Sequence, residues 1–304
     1  MTATQPKDIG ASVRARLLHL ARTRGEDFQL LLTRYVNERL LYRLAASDHA
    51  AQFVVKGATL FTAWTGNAHR ATRDIDLLGF GSSAEDDLLR IFASVLATSV
   101  PDDGVRFDAA TLSIGAIRAG QEYGGHRIEM IARITSAQVR VQVDIGFGDA
   151  ITPNALELEF PTVLDFPAPR LRAYPRETVV AEKLDAMVQL GMANTRMKDF
   201  YDLELLARDF EFEGSVLARA IRNTFERRRT QLPSEVPVAL TEVFSTDASK
   251  RSQWTGFIRK AGVQNGETLE ATVARIRSFV EAPLTCARSG ASMETQWLAG
   301  GPWR

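Results

Sequence analysis

Asp74 and Asp76 stand one residue apart in RATRDIDLLGFG, residues 70–81, inside an otherwise apolar run. Ile75, Leu77 and Leu78 predict a strand there. Side chains on a strand alternate faces, so both acids point the same way, their roots ~6–7 Å apart. Like charges that close repel, and they lose hydration if covered. A divalent cation offsets both. Hard cations such as Mg²⁺ take one or two carboxylates, with waters and substrate phosphates completing the shell. Two carboxylates on one face suit a pair of ions ~3.5–4 Å apart, clamping the attacking and leaving oxygens of a phosphoryl or nucleotidyl transfer. The plainer alternative is an edge strand with a solvated aspartate face.

Other residues could extend this chemistry. In QVRVQVDIGFG, Val139, Val141 and Val143 share one face of a strand, while Arg140, Gln142 and Asp144 share the other. Asp144 is thus a third candidate metal carboxylate. Upstream, a strand at Gln52–Val55 leads through Lys56-Gly57-Ala58-Thr59 into a helix, LFTAW. That order places backbone N–H groups at a helix N-terminus, where phosphate binds, and glycine permits close approach. Thr59 adds a hydroxyl. A rival reading uses Gly79-Phe80-Gly81-Ser82-Ser83-Ala84 as a G-x-G-x-x-A dinucleotide fingerprint, with Asp102 or Asp103 as the ribose acid. It sets two acids just ahead of an anionic pyrophosphate.

A second constellation is AEKLDAMVQLGMANTRMKDFYDL, residues 181–203. Val180, Leu184, Met187 and Val188 form an apolar stripe, leaving Glu182 and Lys183 off its centre. In the next helix Phe200, Leu203 and Leu206 supply packing, Asp199 and Asp202 share a face, and Lys198 can pair with Asp202 at i,i+4. This reads either as a surface ion-pair helix or as a cationic position. In the second case Lys183 reaches phosphate as a compact point charge, oriented by Arg196, Lys198 and Asp199.

The remaining sequence supplies the frame. Residues 11–47 predict helix, broken at Gly25, with seven arginines (14, 16, 22, 24, 34, 39, 43) on a solvated or RNA-facing surface. Ser82 and Glu85 predict a capping box opening a helix at 83–98. Strands follow at 105–118, HRIEMIARI and QVRVQVDIGFG, the last two joined by a turn near Ser136. The proline-rich FPTVLDFPAPRLRAYP reads as an extended boundary. Helices then predict at 176–191 and 197–210, and Leu269, Val273, Ile276 and Val280 trace another. Arg227-Arg228-Arg229 reads as a solvated helix end. The domains expected are 1–165, a core with N-terminal helices; 166–284, a helical domain; and 285–304, a flexible tail.

Composition narrows the class. A 45% hydrophobic and 24% charged chain is that of a soluble globular protein. The balanced net charge names no partner, so nucleic-acid binding would need a local basic patch. Cys286 stands alone, which excludes an internal disulfide, and His19, His49, His69 and His126 show no ligand spacing. Without a run of ~18 apolar residues or a signal-peptide core, the expectation is a cytoplasmic protein with no membrane contact.

KGATLFTAW…RATRDIDLL, VQVDIGFGD and ETVVAEKLDAMVQLG…TRMKDFYDLELLA together resemble the AbiEii/AbiGii nucleotidyltransferase toxins, within the DNA polymerase β-like superfamily. The resemblance covers roughly residues 15 to 210. It implies an α+β fold: a polymerase β-like core with a mixed sheet flanked by helices, plus a C-terminal helical domain contributing Lys183 and Asp199. It implies catalytic roles for Asp74, Asp76, Lys183 and Asp199, with Asp202 the alternative to Asp199. It also implies nucleotide contacts at Lys56, Gly57, Ala58, Thr59, Arg73 and Lys183, and metal ligation by Asp74, Asp76 and Asp144. Arg70, Glu182, Arg196 and Lys198 stand as lesser candidates. Gly57-Ala58 departs from the family's Gly-Gly or Gly-Ser turn, with Thr59 standing in for the serine. The activity implied is transfer of NMP from an NTP to RNA, at the tRNA 3′ end, with Mg²⁺ or Mn²⁺ and a cognate antitoxin as partner. A non-catalytic NTP- or partner-binding module, or transfer to a small molecule or protein, are the alternatives.

Overall fold

A computed structural model describes residues 8–66, 70, 72–117, 125–262 and 266–304; His69 and Arg118 lie outside the described residues. The chain divides into two compact units, one of residues 1–148 and 156–173, the other of 149–155 and 174–304.

The first unit opens with two helices, α1 (Ile9–Arg24) and α2 (Phe28–Ala46). Asp8 and Asp27 cap their N-termini, and Gly25 ends α1 with a φ of 65°. Then come β1 (Phe53–Lys56), α3 (Thr59–Thr65), β2 (Asp74–Gly79), α4 (Glu85–Ala97), β3 (Arg106–Ile117), β4 (Gly125–Ile134), β5 (Ala137–Phe147), β6 (Leu156–Glu159) and β7 (Arg170–Ala173). The strands form one mixed sheet in the order β3-β4-β5-β2-β1-β7-β6. β2 runs parallel to β5 and antiparallel to β1. Ile128, Met130 and Ala132 of β4 are buried, as are Val139, Val141, Val143 and Ile145 of β5, so one face of the hairpin builds the core.

Several expectations give way here. Arg39 and Arg43 are not solvated: they are 1% and 7% exposed. Arg43 grips both oxygens of Asp103 at 2.7 and 3.0 Å. Arg39 lies beside the rings of Tyr35, Tyr42 and Phe166 and donates to the Pro167 carbonyl. Glu38 accepts from the Val163 N–H. These anchors from α2 hold most of the proline-rich segment in the first unit, and the division between the units falls at its end, between Ala173 and Tyr174. Of the two acids in the dinucleotide reading, Asp103 is buried with both oxygens on Arg43 and Asp102 accepts from the Gly104 N–H, while the ring of Phe147 lies against Gly79. The capping box does not form either. α4 starts after Ala84, and the Ser82 hydroxyl bonds Asp87 and the Ala84 N–H.

The second unit is mainly helical: α5 (Arg176–Leu190), α6 (Met197–Asp209), β8 (Phe212–Glu213), α7 (Gly214–Arg227), α8 (Glu242–Ser245), α9 (Ala248–Ala261), α10 (Leu269–Ser289) and β9 (Gln296–Trp297). Its core takes Val180, Leu184 and Met187 from α5, Phe200, Leu203 and Leu206 from α6, and Val273, Ile276 and Val280 from α10. Residues 285–304, expected to be a loose tail, are drawn in. α10 continues through Pro283, β9 pairs with β8, and Trp297 is buried against Phe279 with its indole N–H on the Ala207 carbonyl. The short sequence after α10 hid two tryptophans able to bury large apolar area. Arg228 is likewise no solvated helix end: it pairs with Asp149, Glu182 and Asp185.

Candidate functional site

In β2, Ile75 and Leu77 face the core and Asp74 and Asp76 face the other way, both half-buried. The pairing of four strands sets a row of charges on that face. Asp76 lies opposite Lys56 of β1 on one side and Asp144 of β5 on the other, and Asp144 lies opposite Arg127 of β4. Cation, acid, acid, cation: the two flanks offset the two centres. Asp74 lies opposite Gln142.

Arg127 binds Asp144 through Nε and Nη2, both at 2.8 Å, and Gln142 adds a contact at 3.3 Å. The hydrogen bond to Asp144, helped by the charge of Asp74, holds the Arg127 guanidinium above its ordinary range. Both oxygens of Asp144 are therefore engaged within the sheet.

Gly57 ends β1 with a φ of +74°, a conformation that favours glycine. A Cβ there would stand 2.0 Å from Asp76 Oδ2 and 2.8 Å from Asp76 Cβ. The turn thus lays bare backbone against the carboxylate. Ala58 is buried behind it, and Thr59 begins α3, a helix of 7 residues. Arg73 is exposed, its carbonyl held by Asn37; Arg70 is half-buried.

The donors suit a hard divalent ion: two carboxylates on one strand face, one of them lying over the Gly57 backbone. Among the described residues no group of three or more His, Cys, Asp or Glu is placed to hold a metal. Asp74 and Asp76 are the dyad such an ion would use, and Asp144 is engaged by Arg127.

In the second unit, Lys183 Nζ donates to Asp199 Oδ1 at 2.8 Å and to Asp202 Oδ2 at 2.7 Å. Arg196 Nε approaches Asp199 Oδ2 at 2.7 Å. Asp199 and Asp202 are fully buried, so this is an interior charge cluster and not the surface ion-pair helix the spacing allowed. Lys198 is exposed, and it is Lys183, on the preceding helix, that reaches Asp202. Glu182 turns to Arg228 at 2.9 Å and to the Tyr174 hydroxyl at 3.3 Å. Burial, then the Glu182 charge, pushes the Tyr174 phenol well above its ordinary value.

Arg127 and Arg228 were not among the candidates. Arg127 had a signal. A hairpin turning at Thr135-Ser136 pairs residues whose numbers sum to a constant, which sets Arg127 opposite Asp144. Arg228 had none, since its three acids lie 43 to 79 residues away.

The sequence profile described as "Nucleotidyl transferase AbiEii toxin, Type IV TA system" matches residues 39–278. Two Helicobacter pylori crystal structures share the fold. JHP933 superposes with a TM-score of 0.51 at 17% identity, over 87% of this chain and 95% of that one. A protein described as a candidate nucleotidyltransferase gives 0.51 at 16% identity, over 88% and 99%. No curated protein matches. With the polymerase β-like core in its sheet and the profile spanning most of its length, the chain belongs to the AbiEii family of nucleotidyltransferase toxins.

Proposed function

We propose that this toxin transfers NMP from an NTP to an RNA hydroxyl, at the tRNA 3′ end, in a reaction that needs Mg²⁺ or Mn²⁺. The observation that carries the reading is the bare Gly57 backbone set against the Asp76 carboxylate, with Asp74 on the same face. Asp74 and Asp76 would hold the ion, which when bound supplies positive charge beside the reacting phosphate. Lys56, Gly57, Ala58 and Thr59 receive the triphosphate, and Arg70 and Arg73 flank it. The acceptor oxygen bonds to the α-phosphorus as the bond to the β-phosphate oxygen breaks and pyrophosphate leaves. Lys183, held by Asp199 and Asp202, supplies a point charge for phosphate. The protein's part is positioning and charge stabilisation, without covalent chemistry. Family membership supports an antitoxin as the genetic partner.

The test is incubation with total RNA, Mg²⁺ and each α-³²P-labelled NTP. Label should enter the tRNA band, and Asp76→Ala should abolish it while the circular dichroism is kept. Label retained by Asp76→Ala overturns the reading. Label entering protein or a small molecule moves the acceptor, and NTP binding without pyrophosphate release leaves a binding module.

A further inference from the structure

Lys250 is only 6% exposed, although lysine is among the residues least often buried. It lies in the first turn of α9, where Asp247 accepts from its backbone N–H. Its ammonium donates to the Asn194 carbonyl at 3.0 Å and stands 5.3 Å from the centre of the Phe244 ring. Among the described residues no carboxylate pairs with it. A buried charge without a counter-ion is costly, so what it holds in place matters.

It holds the turn between α5 and α6. Asn194 is fully buried, and its Oδ1 accepts from the Arg196 N–H at 2.8 Å. Arg196 reaches Asp199 Oδ2, and Asp199 Oδ1 receives Lys183. A continuous series of polar contacts therefore joins Lys250 to Lys183 inside the second unit. Phe244 adds a parallel tie, stacking at 5.1 Å on Phe200, the neighbour of Asp199.

We propose that Lys250 is a positioning residue for Lys183. By fixing the Asn194 carbonyl it sets the turn that delivers Arg196 to one oxygen of Asp199, leaving the other for Lys183. The consequence for transfer rests on the function proposed above; the coupling itself does not.

The chain has six lysines, so ¹³C-lysine labelling gives a simple ε-methylene spectrum in which Lys183→Arg identifies the Lys183 signal. In Lys250→Met that signal should move toward its position in Arg196→Ala, with little further movement in the double variant. Transfer should fall about 10-fold in each single variant and about 10-fold, not 100-fold, in the double, because the two act in series. An unmoved Lys183 signal in Lys250→Met, or multiplying losses, overturns the proposal and leaves Lys250 a purely structural group. If Lys250→Met does not fold, Asn194→Ala cuts the series at the Arg196 amide and must move the same signal; a fixed signal there also overturns it. A wild-type protein without transfer would remove the proposed function, while the spectra would still decide the coupling.

Discussion

A methyl group on Gly57 would stand 2.0 Å from a carboxylate oxygen of Asp76, with the Asp76 Cβ barely farther at 2.8 Å. The whole Asp76 side chain lies across the glycine, so rotating its tip gives no relief. Gly57→Ala should also bear the strain of a left-handed φ, about 1 kcal/mol. The overlap should cost about 1–3 kcal/mol more, lowering Tm clearly, and transfer should fall about 100-fold, since a displacement near 1 Å is that costly. Thermal melts and labelled-NTP assays on one preparation check both halves.

Asp144 is a neighbour of Asp76 already occupied by Arg127. Asp144→Asn should reduce transfer by less than about 10-fold and stability by no more than about 1 kcal/mol, because the ion pair is partly exposed. Asp76→Asn should cost far more. Side-by-side rates at saturating NTP separate the two.

Removing Lys183 takes its cation away from two buried acids, Asp199 and Asp202. Lys183→Ala should destabilise the protein by about 3 kcal/mol, the usual scale for breaking a buried pair. Combining Lys183→Met with Asp202→Asn restores charge balance. It should recover much of the stability in urea unfolding and none of the transfer.

Glu38 predicts a pH dependence. Burial outweighs the pull of Arg39 and pushes its carboxyl from 4.5 to about 7. The folded protein therefore binds this proton more tightly than the unfolded chain. Stability from this group should fall as pH rises from about 4.5 through 7, by about 3 kcal/mol in all. Glu38→Gln keeps an acceptor for the Val163 N–H and should flatten that slope. Urea titrations between pH 5 and 8 measure it.

Trp297 ties residues beyond α10 to the second unit. Trp297→Ala, which empties the space beside Phe279 and Trp303, should cost about 3–5 kcal/mol. Deleting residues 291–304 should lower the Tm at least as much.

Periodicity made much of this fold readable. The β2 strand, the β4–β5 hairpin and helices α5 and α6 follow from alternating or three-to-four spacing, because each buries one face. What could not be read are charges that turn inward. Arg39, Arg43 and Arg228 look like surface residues in sequence, and remote partners help offset their burial: Pro167 for Arg39, Asp103 for Arg43, Asp149 and Asp185 for Arg228. The dyad was visible because both acids sit on one short strand. The contact of Gly57 with Asp76 was not, since it depends on the antiparallel register of β1 and β2.

The chain passes between its two units three times, at residues 148–149, 155–156 and 173–174. Neither unit can then be excised with a single cut, and a fragment starting at residue 174 would lack Asp149 and Thr152, which pair with Arg228 and Thr178. The same threading imposes an order on biosynthesis. The outer edge of β1 gains its partner β7 only when Ala173 leaves the ribosome, so the sheet bearing the two acids stays incomplete until more than half of the polypeptide has been made.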